Sequence, residues 1–295
     1  ALGEALVELN EVTPGTFRQG FGGDTSNVAI AAARQGAAAA YVTRLGADAF
    51  GDALAALWAA EGVTAHAPRD AEAPTGLYFV THGADGHRFT YRRKGSAASR
   101  MRPADLPEEA IRGAGLLHLS GITLAISAEA ADTALAAIAL AREAGVRVSL
   151  DPNYRPALWP LARARALIHA AMAEADIALP GLEDARALTG LDAPEAIAEA
   201  YLAMGPRIVA LTLGAEGVLV ATPDRVTRIA PHDVAAVDAT GAGDCFDGAF
   251  LARLLAGDGA EAAARYANAA AALATTGHGA VAPIPRPAEV RALLG

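Results

Sequence analysis

The chain has 295 residues, 53% of them hydrophobic and 19% charged, with a formal net charge of −9 at pH 7. That length and apolar share suit a globular α/β chain with a large core and exclude a disordered one, and the acidic balance excludes a general nucleic-acid footprint, which needs a basic face. No stretch of eighteen or more residues is both uncharged and strongly apolar, so no membrane span is expected. The lone cysteine, Cys245, cannot form an internal disulfide and fits a cytoplasmic protein without a signal peptide.

The sequence opens on Ala1 and runs at once into an apolar segment, so the native start and part of a first strand are expected upstream. Short apolar runs then alternate with amphipathic stretches. Strands are predicted at 41–45, 116–120, 147–151, 177–179, 208–212 and 217–221. Helices are predicted at 27–35, 48–61, 128–144, 162–173 and 183–188. Strand–helix–strand alternation with right-handed crossovers builds a mostly parallel sheet covered on both faces, with ligands at the C-terminal strand ends.

Two segments break the alternation. Residues 10–23 and 73–98 are extended and rich in Thr, Tyr, Phe and Arg, and the Gly83-Ala84-Asp85-Gly86 run predicts a hairpin turn. A small β-sheet lid inserted in a single domain spanning 1–295 accounts for both, and could close over a ligand and exclude water.

The chemistry concentrates in Asp238-Ala239-Thr240-Gly241-Ala242-Gly243-Asp244. Phe246, Ala249, Phe250 and Leu254 follow at the spacing of a buried helical face, with Gly257 at its predicted end. A glycine-rich turn feeding a helix start aims free amides and the positive end of the helix dipole at one spot. Such a spot suits a phosphoryl group in transfer, with Asp244 placed to accept a proton from the attacking hydroxyl. A capped helix start after a tight turn is the plainer reading of the same residues.

The run Asp238 to Phe246 resembles the C-terminal signature of the ribokinase-like (PfkB) carbohydrate kinases. Gly22-Gly23-Asp24-Thr25-Ser26-Asn27 is similar to that family's sugar-side motif, and Gly46-Ala47-Asp48 with Phe50-Gly51 to its next block. Asp151-Pro152-Asn153-Tyr154-Arg155, Thr212 to Gly217 and the segment around Asn268 extend the likeness over the whole chain. The resemblance implies a three-layer α/β/α sandwich and ATP-dependent phosphorylation with Mg2+, and a monovalent cation as a further candidate. Asp244 is then the base, and Gly241, Ala242 and Gly243 form the anion hole. Asn153, Thr212, Gly214, Gly217 and Asn268 fall on the nucleotide side.

Within the family, Thr75 to Tyr78, Tyr91 to Ala97 and Leu119 to Thr123 resemble segments of 2-keto-3-deoxygluconate kinases. This likeness implies a sugar site of Gly23, Asn27, Tyr78, Tyr91, Arg93 and Arg155, with phosphorylation at the terminal C6 hydroxyl. Arginine recognises a planar carboxylate through a paired donor fork. A fructokinase or nucleoside kinase is the alternative within the class, and a sugar-binding protein without catalysis the alternative outside it. The family's Asn-x-x-Glu stretch departs here to Gly181-Leu182-Glu183-Asp184, which leaves Glu183 and Asp184 as candidate metal-linked carboxylates and as ordinary helix-start acids.

Other readings fail on residues. The only lysine, Lys94, precedes Gly95 with no glycine run before it, which excludes a Walker phosphate loop. No Gly-x-Gly-x-x-Gly follows a strand and no His-Glu-x-x-His occurs. Cys245 reads as a packed thiol and His278 as a loop residue. A homo-oligomer assembled through the lid is expected.

Overall fold

The computed structural model describes residues 1–83 and 86–295. Its central sheet runs, edge to edge, Arg225–Ile229, Val218–Thr222, Ile208–Thr212, Ile177–Ala178, Arg147–Asp151 and Leu116–Ser120. The last four are parallel and the first two antiparallel. Beyond Leu116–Ser120, Leu2 bonds to the His118 carbonyl and bridges to Val42, extending the layer toward the parallel pair Ala40–Val42 and Thr64–His66.

Alternate residues of these strands enter opposite cores. Val209, Leu211, Leu219 and Ala221 pack with the helices Ala128–Glu143, Leu161–Ala173, Leu182–Thr189 and Pro194–Met204. Ala210, Val218 and Val220 pack with Asp24–Arg34, Ala49–Ala60, Ala242–Leu255 and Ala260–Ala274. Period-two side chains thus give one sheet two apolar faces, each buried under helices. Alanine makes this close: on Asp24–Arg34 and Ala242–Leu255 the Gly248 position lies against Val28 and Ala31, where a Cβ would collide.

The predicted strand at 41–45 is divided in two, Ala40–Val42 and Leu45–Gly46. Its partner chain carries Pro68, which has no N–H for the ladder and only accepts, from Leu45. Pro180 likewise ends the predicted 177–179 strand at Ala178, and Gly217 stands outside its strand with φ +91, where a Cβ would strike the Ile229 carbonyl. The predicted helix at 27–35 starts earlier, at Asp24, because polar residues of its first turn have tertiary partners. Thr25 shares a hydrogen bond with the Tyr41 hydroxyl, and Trp58 Nε1 donates to Ser26.

A second, four-stranded sheet has the order Thr16–Gly22, Leu6–Thr13, Leu77–Gly83, Gly86–Arg92. Its middle pair is parallel and its outer pairs antiparallel. It begins at Leu6, four residues before the predicted segment, and residues 93–98 form a turn rather than sheet. Gly83 pairs with Gly86 as a hairpin requires; the expected turn residues Ala84 and Asp85 lie outside the described residues. Among the described residues, no helix is long and apolar enough to cross a membrane.

Candidate active site

A cleft of about 620 Å³ lies between the four-stranded sheet and the C-terminal ends of the parallel strands. Its floor is the start of Ala242–Leu255. Gly241 caps that helix at φ +76, a left-handed conformation that favours glycine, and a Cβ there would sit 2.9 Å from the Ala280 Cα. Asp238 fixes the turn: Oδ1 accepts from the Thr240 amide and hydroxyl, and Oδ2 from the Gly279 amide. These bonds hold its carboxyl below the usual carboxylate range.

The first intrahelical bond runs from the Cys245 amide to the Gly241 carbonyl. Ala242 spends its amide on the Ala239 carbonyl at 3.2 Å, so it departs from the predicted anion hole. Gly241, Gly243 and Asp244 line the cleft with their amides left over at the helix start.

Asp244 reaches into this floor, and Asn27 Nδ2 donates to its Oδ2 at 2.7 Å across the interface of the two helices. Burial, and then the charge of Asp24, push its carboxyl up to about 7; the Asn27 bond and Arg155 oppose the rise. Asn27 Oδ1 is buried without a partner. Asp151 and Asp247 also line the cleft, both pushed up by burial and by neighbouring carboxylates, and Asp247 Oδ2 has no hydrogen-bond partner. The floor therefore gathers four acids, Asp24, Asp151, Asp244 and Asp247, against few cations.

The chain matches the pfkB family carbohydrate kinases over residues 1–287. It belongs to that family. The 2-dehydro-3-deoxygluconokinase of Thermoproteus tenax is 36% identical over 306 residues, covering 100% of this chain and 93% of the relative. Fructokinase-1 of Oryza sativa subsp. japonica is 35% identical over 312 residues, covering 100% and 96%. A putative ribokinase II from E. coli, solved in complex with ATP and Mg2+, superposes with a TM-score of 0.93 at 27% identity, covering 99% of this chain and 97% of that one. The fold is ribokinase-like and the chain is a carbohydrate kinase.

The structure brings all six predicted sugar-side residues of this kinase together: Gly23, Asn27, Tyr78, Tyr91, Arg93 and Arg155 line the cleft with Asp244. Gly23 has φ +110 and lies against the Glu4 carbonyl, so only glycine fits there. The Tyr78 hydroxyl donates to Glu8 Oε2 at 2.6 Å, and its ring lies 5.5 Å from that of Tyr91. Arg93 donates from Nε to Glu4 Oε2 at 2.7 Å. Arg155 is half exposed and pairs with Asp184 at 3.3 Å.

The nucleotide-side set divides. Asn153 and Thr212 line the cleft, and Asn153, held at φ +33, donates to Asp24 Oδ2 at 2.8 Å. Gly214 and Gly217 shape the turn after Ile208–Thr212 away from the lining. Asn268 is buried and spends its Nδ2 on the Ala230 carbonyl at 2.8 Å, tying its helix to the sheet's edge strand. Glu183 faces outward onto Arg186, whereas Asp184 lines the cleft with its carboxyl pushed up by burial.

Glu4, Glu8, Asp24 and Asp247 escaped the sequence reading. Their signal was weak but present: two acids, Glu4 and Glu8, inside the apolar opening of the chain, and a second aspartate one helical turn after Asp244.

Proposed function

We propose that this carbohydrate kinase transfers the γ-phosphoryl group of ATP to the C6 hydroxyl of 2-keto-3-deoxygluconate. The observation that carries the acid sugar is the pair of guanidinium groups, Arg93 and Arg155, lining the same cleft as Asp244. Relatives acting on an acid sugar and on fructose are almost equally similar, so side chains must discriminate. Each arginine already has one carboxylate partner, Glu4 for Arg93 and Asp184 for Arg155, but a guanidinium carries five N–H donors, and those left over suit a planar carboxylate better than a neutral hydroxyl.

In this reading Asn27 holds the Asp244 carboxylate toward the substrate. Asp244 takes the proton as the hydroxyl oxygen attacks. The amides of Gly241, Gly243 and Asp244 receive the charge that develops on the transferred phosphoryl group. The aromatic pair Tyr78 and Tyr91 covers the sugar from the lid and excludes water.

Among the described residues, no three His, Cys, Asp or Glu side chains form a metal cage. A magnesium ion carried on nucleotide phosphates needs only one or two carboxylates with water. Asp151 and Asp184, whose charge burial disfavours, fit that need and would hold it. Bound there, it supplies neutralisation of phosphate charge. Exposed Val12, Phe17 and Phe89 on the lid support a homo-oligomer through that sheet, which the mass in solution tests.

The deciding experiment is an ADP-release assay across 2-keto-3-deoxygluconate, its galactonate epimer, fructose, ribose and adenosine. The expected result is preference for the acid sugars; turnover confined to fructose or adenosine would overturn the assignment.

A further inference from the structure

The wall of the cleft opposite the floor is organised by a residue with no assigned part in the reaction. Glu4 is fully buried at the chain's first apolar segment, yet it lines the cleft. Residues Arg93 to Ser96 form a tight turn, closed by the Ser96 amide on the Arg93 carbonyl at 3.0 Å, with Gly95 at φ +73. Both ends of that turn grip the same carboxylate. Arg93 donates from Nε to Oε2 and brings Nη2 against the same oxygen as an ion pair, and the Ser96 hydroxyl donates to Oε1.

The surroundings leave the carboxylate little room. A Cβ at Gly76 would lie 2.8 Å from Glu4 Oε1, and the Ala97 amide pins the turn to the Pro74 carbonyl at 2.8 Å. Arginine side chains carry large rotamer entropy, and a buried carboxylate that holds Nε and Nη2 on one oxygen removes much of it before any ligand arrives. With Nε and one Nη committed, the remaining Nη1 donors of Arg93 stay free for a ligand.

We infer that Glu4 is a positioning residue that presents Arg93 to the sugar, with the 93–96 turn as the clamp between them. The inference rests on the reading of Arg93 as a sugar-side cation. Reach, not charge, is then what Glu4 must keep. Aspartate keeps the charge and withdraws the oxygens by one methylene. Glutamine keeps the length, accepts from Arg93 with its carbonyl and donates to the Ser96 oxygen.

The test is steady-state kinetics of the full chain and its variants, using the sugar that the wild type phosphorylates best. E4D should raise the sugar KM about tenfold while kcat and the ATP KM hold, since misplacement of a binding group acts on its own ligand. E4Q should leave the sugar KM within about threefold of wild type, and E4D should add nothing in an R93A background, because the two act as one unit. S96A, a milder change, should move the sugar KM in the same direction as E4D and keeps the test available if E4D does not fold.

The proposal is overturned if E4Q raises the sugar KM as much as E4D. It is also overturned if E4D is silent, or if E4D acts equally with and without Arg93. Should the wild type ignore carboxylated sugars and turn over fructose, the acid-sugar assignment fails separately, and the same cycle on fructose still decides the role of Glu4.

Discussion

The floor and the opposite wall line the same cleft but are built from different materials. The floor sets acidic side chains, Asp244 among them, around a backbone cradle: a left-handed Gly241, an Asp238 that ties the turn, and amides left free by a helix start. The wall is side chain: Glu4 with Arg93 and Ser96, Glu8 with Tyr78, and the tilted rings of Tyr78 and Tyr91. A backbone site is general for phosphate and does not read the sugar. A side-chain wall can be retuned by single substitutions, which is where relatives with different sugars have room to differ.

Breaking the floor should cost the most. D244N should lower kcat by about 10³-fold while sugar and nucleotide still bind, as expected for loss of a general base; rapid-quench turnover alongside calorimetric binding checks it. G241A should lower kcat by about 10²-fold, the scale of a lost oxyanion donor, because a left-handed φ and contact with Ala280 force the turn to move. Gly243 has open space around its Cβ position, so G243A should fold as wild type, and comparison of the two melting curves separates strain from catalysis.

Breaking the wall has a stability signature of its own. R93A leaves Glu4 buried and unpaired, which should cost about 3–5 kcal/mol by denaturant titration. R93K keeps a charge and should lose less. The smallest effect belongs to Asn268, remote from the cleft lining. N268A removes one bond to Ala230 and should cost about 1 kcal/mol with kcat and both KM values nearly unchanged.

The pH dependence sharpens the contrast. Asp244 binds its proton more tightly in the folded state, with its carboxyl raised from 3.8 to about 7. The folded state therefore holds the extra proton between these values, and stability falls as pH rises through that window. D244N should melt higher than wild type at pH 8, with the gap closing toward pH 4. Activity of the wild type runs the other way, rising as the base ionises near pH 7.

How much was legible in the sequence follows the same division. The floor was readable because its determinants, Asp238 through Asp244, are contiguous, and its glycines mark backbone that other residues resist. The Ala242 amide could not be read this way, since a single turn bond to the Ala239 carbonyl occupies it. Most strand and helix positions were readable from periodicity, though Arg225–Ile229 and Pro194–Met204 were missed, and the ends depend on Pro68, Pro180 and the tertiary partners of Thr25 and Ser26. The wall was half readable. Tyr78, Tyr91 and Arg93 stood out, whereas Glu4 lies 89 positions from Arg93 and Glu8 lies 70 from Tyr78, separations at which no local pattern announces a pair. The nucleotide-side expectation for Asn268 came from the family resemblance, and its bond to the Ala230 carbonyl, 38 positions away, had no local signal.

The most direct measurement of the assignment is the ratio of kcat/KM for 2-keto-3-deoxygluconate to that for fructose, taken for wild type and for R93A. The acid-sugar reading predicts a ratio well above one in the wild type that collapses in R93A, chiefly through KM for the acid. A ratio below one in the wild type, or one that R93A leaves unchanged, would contradict it.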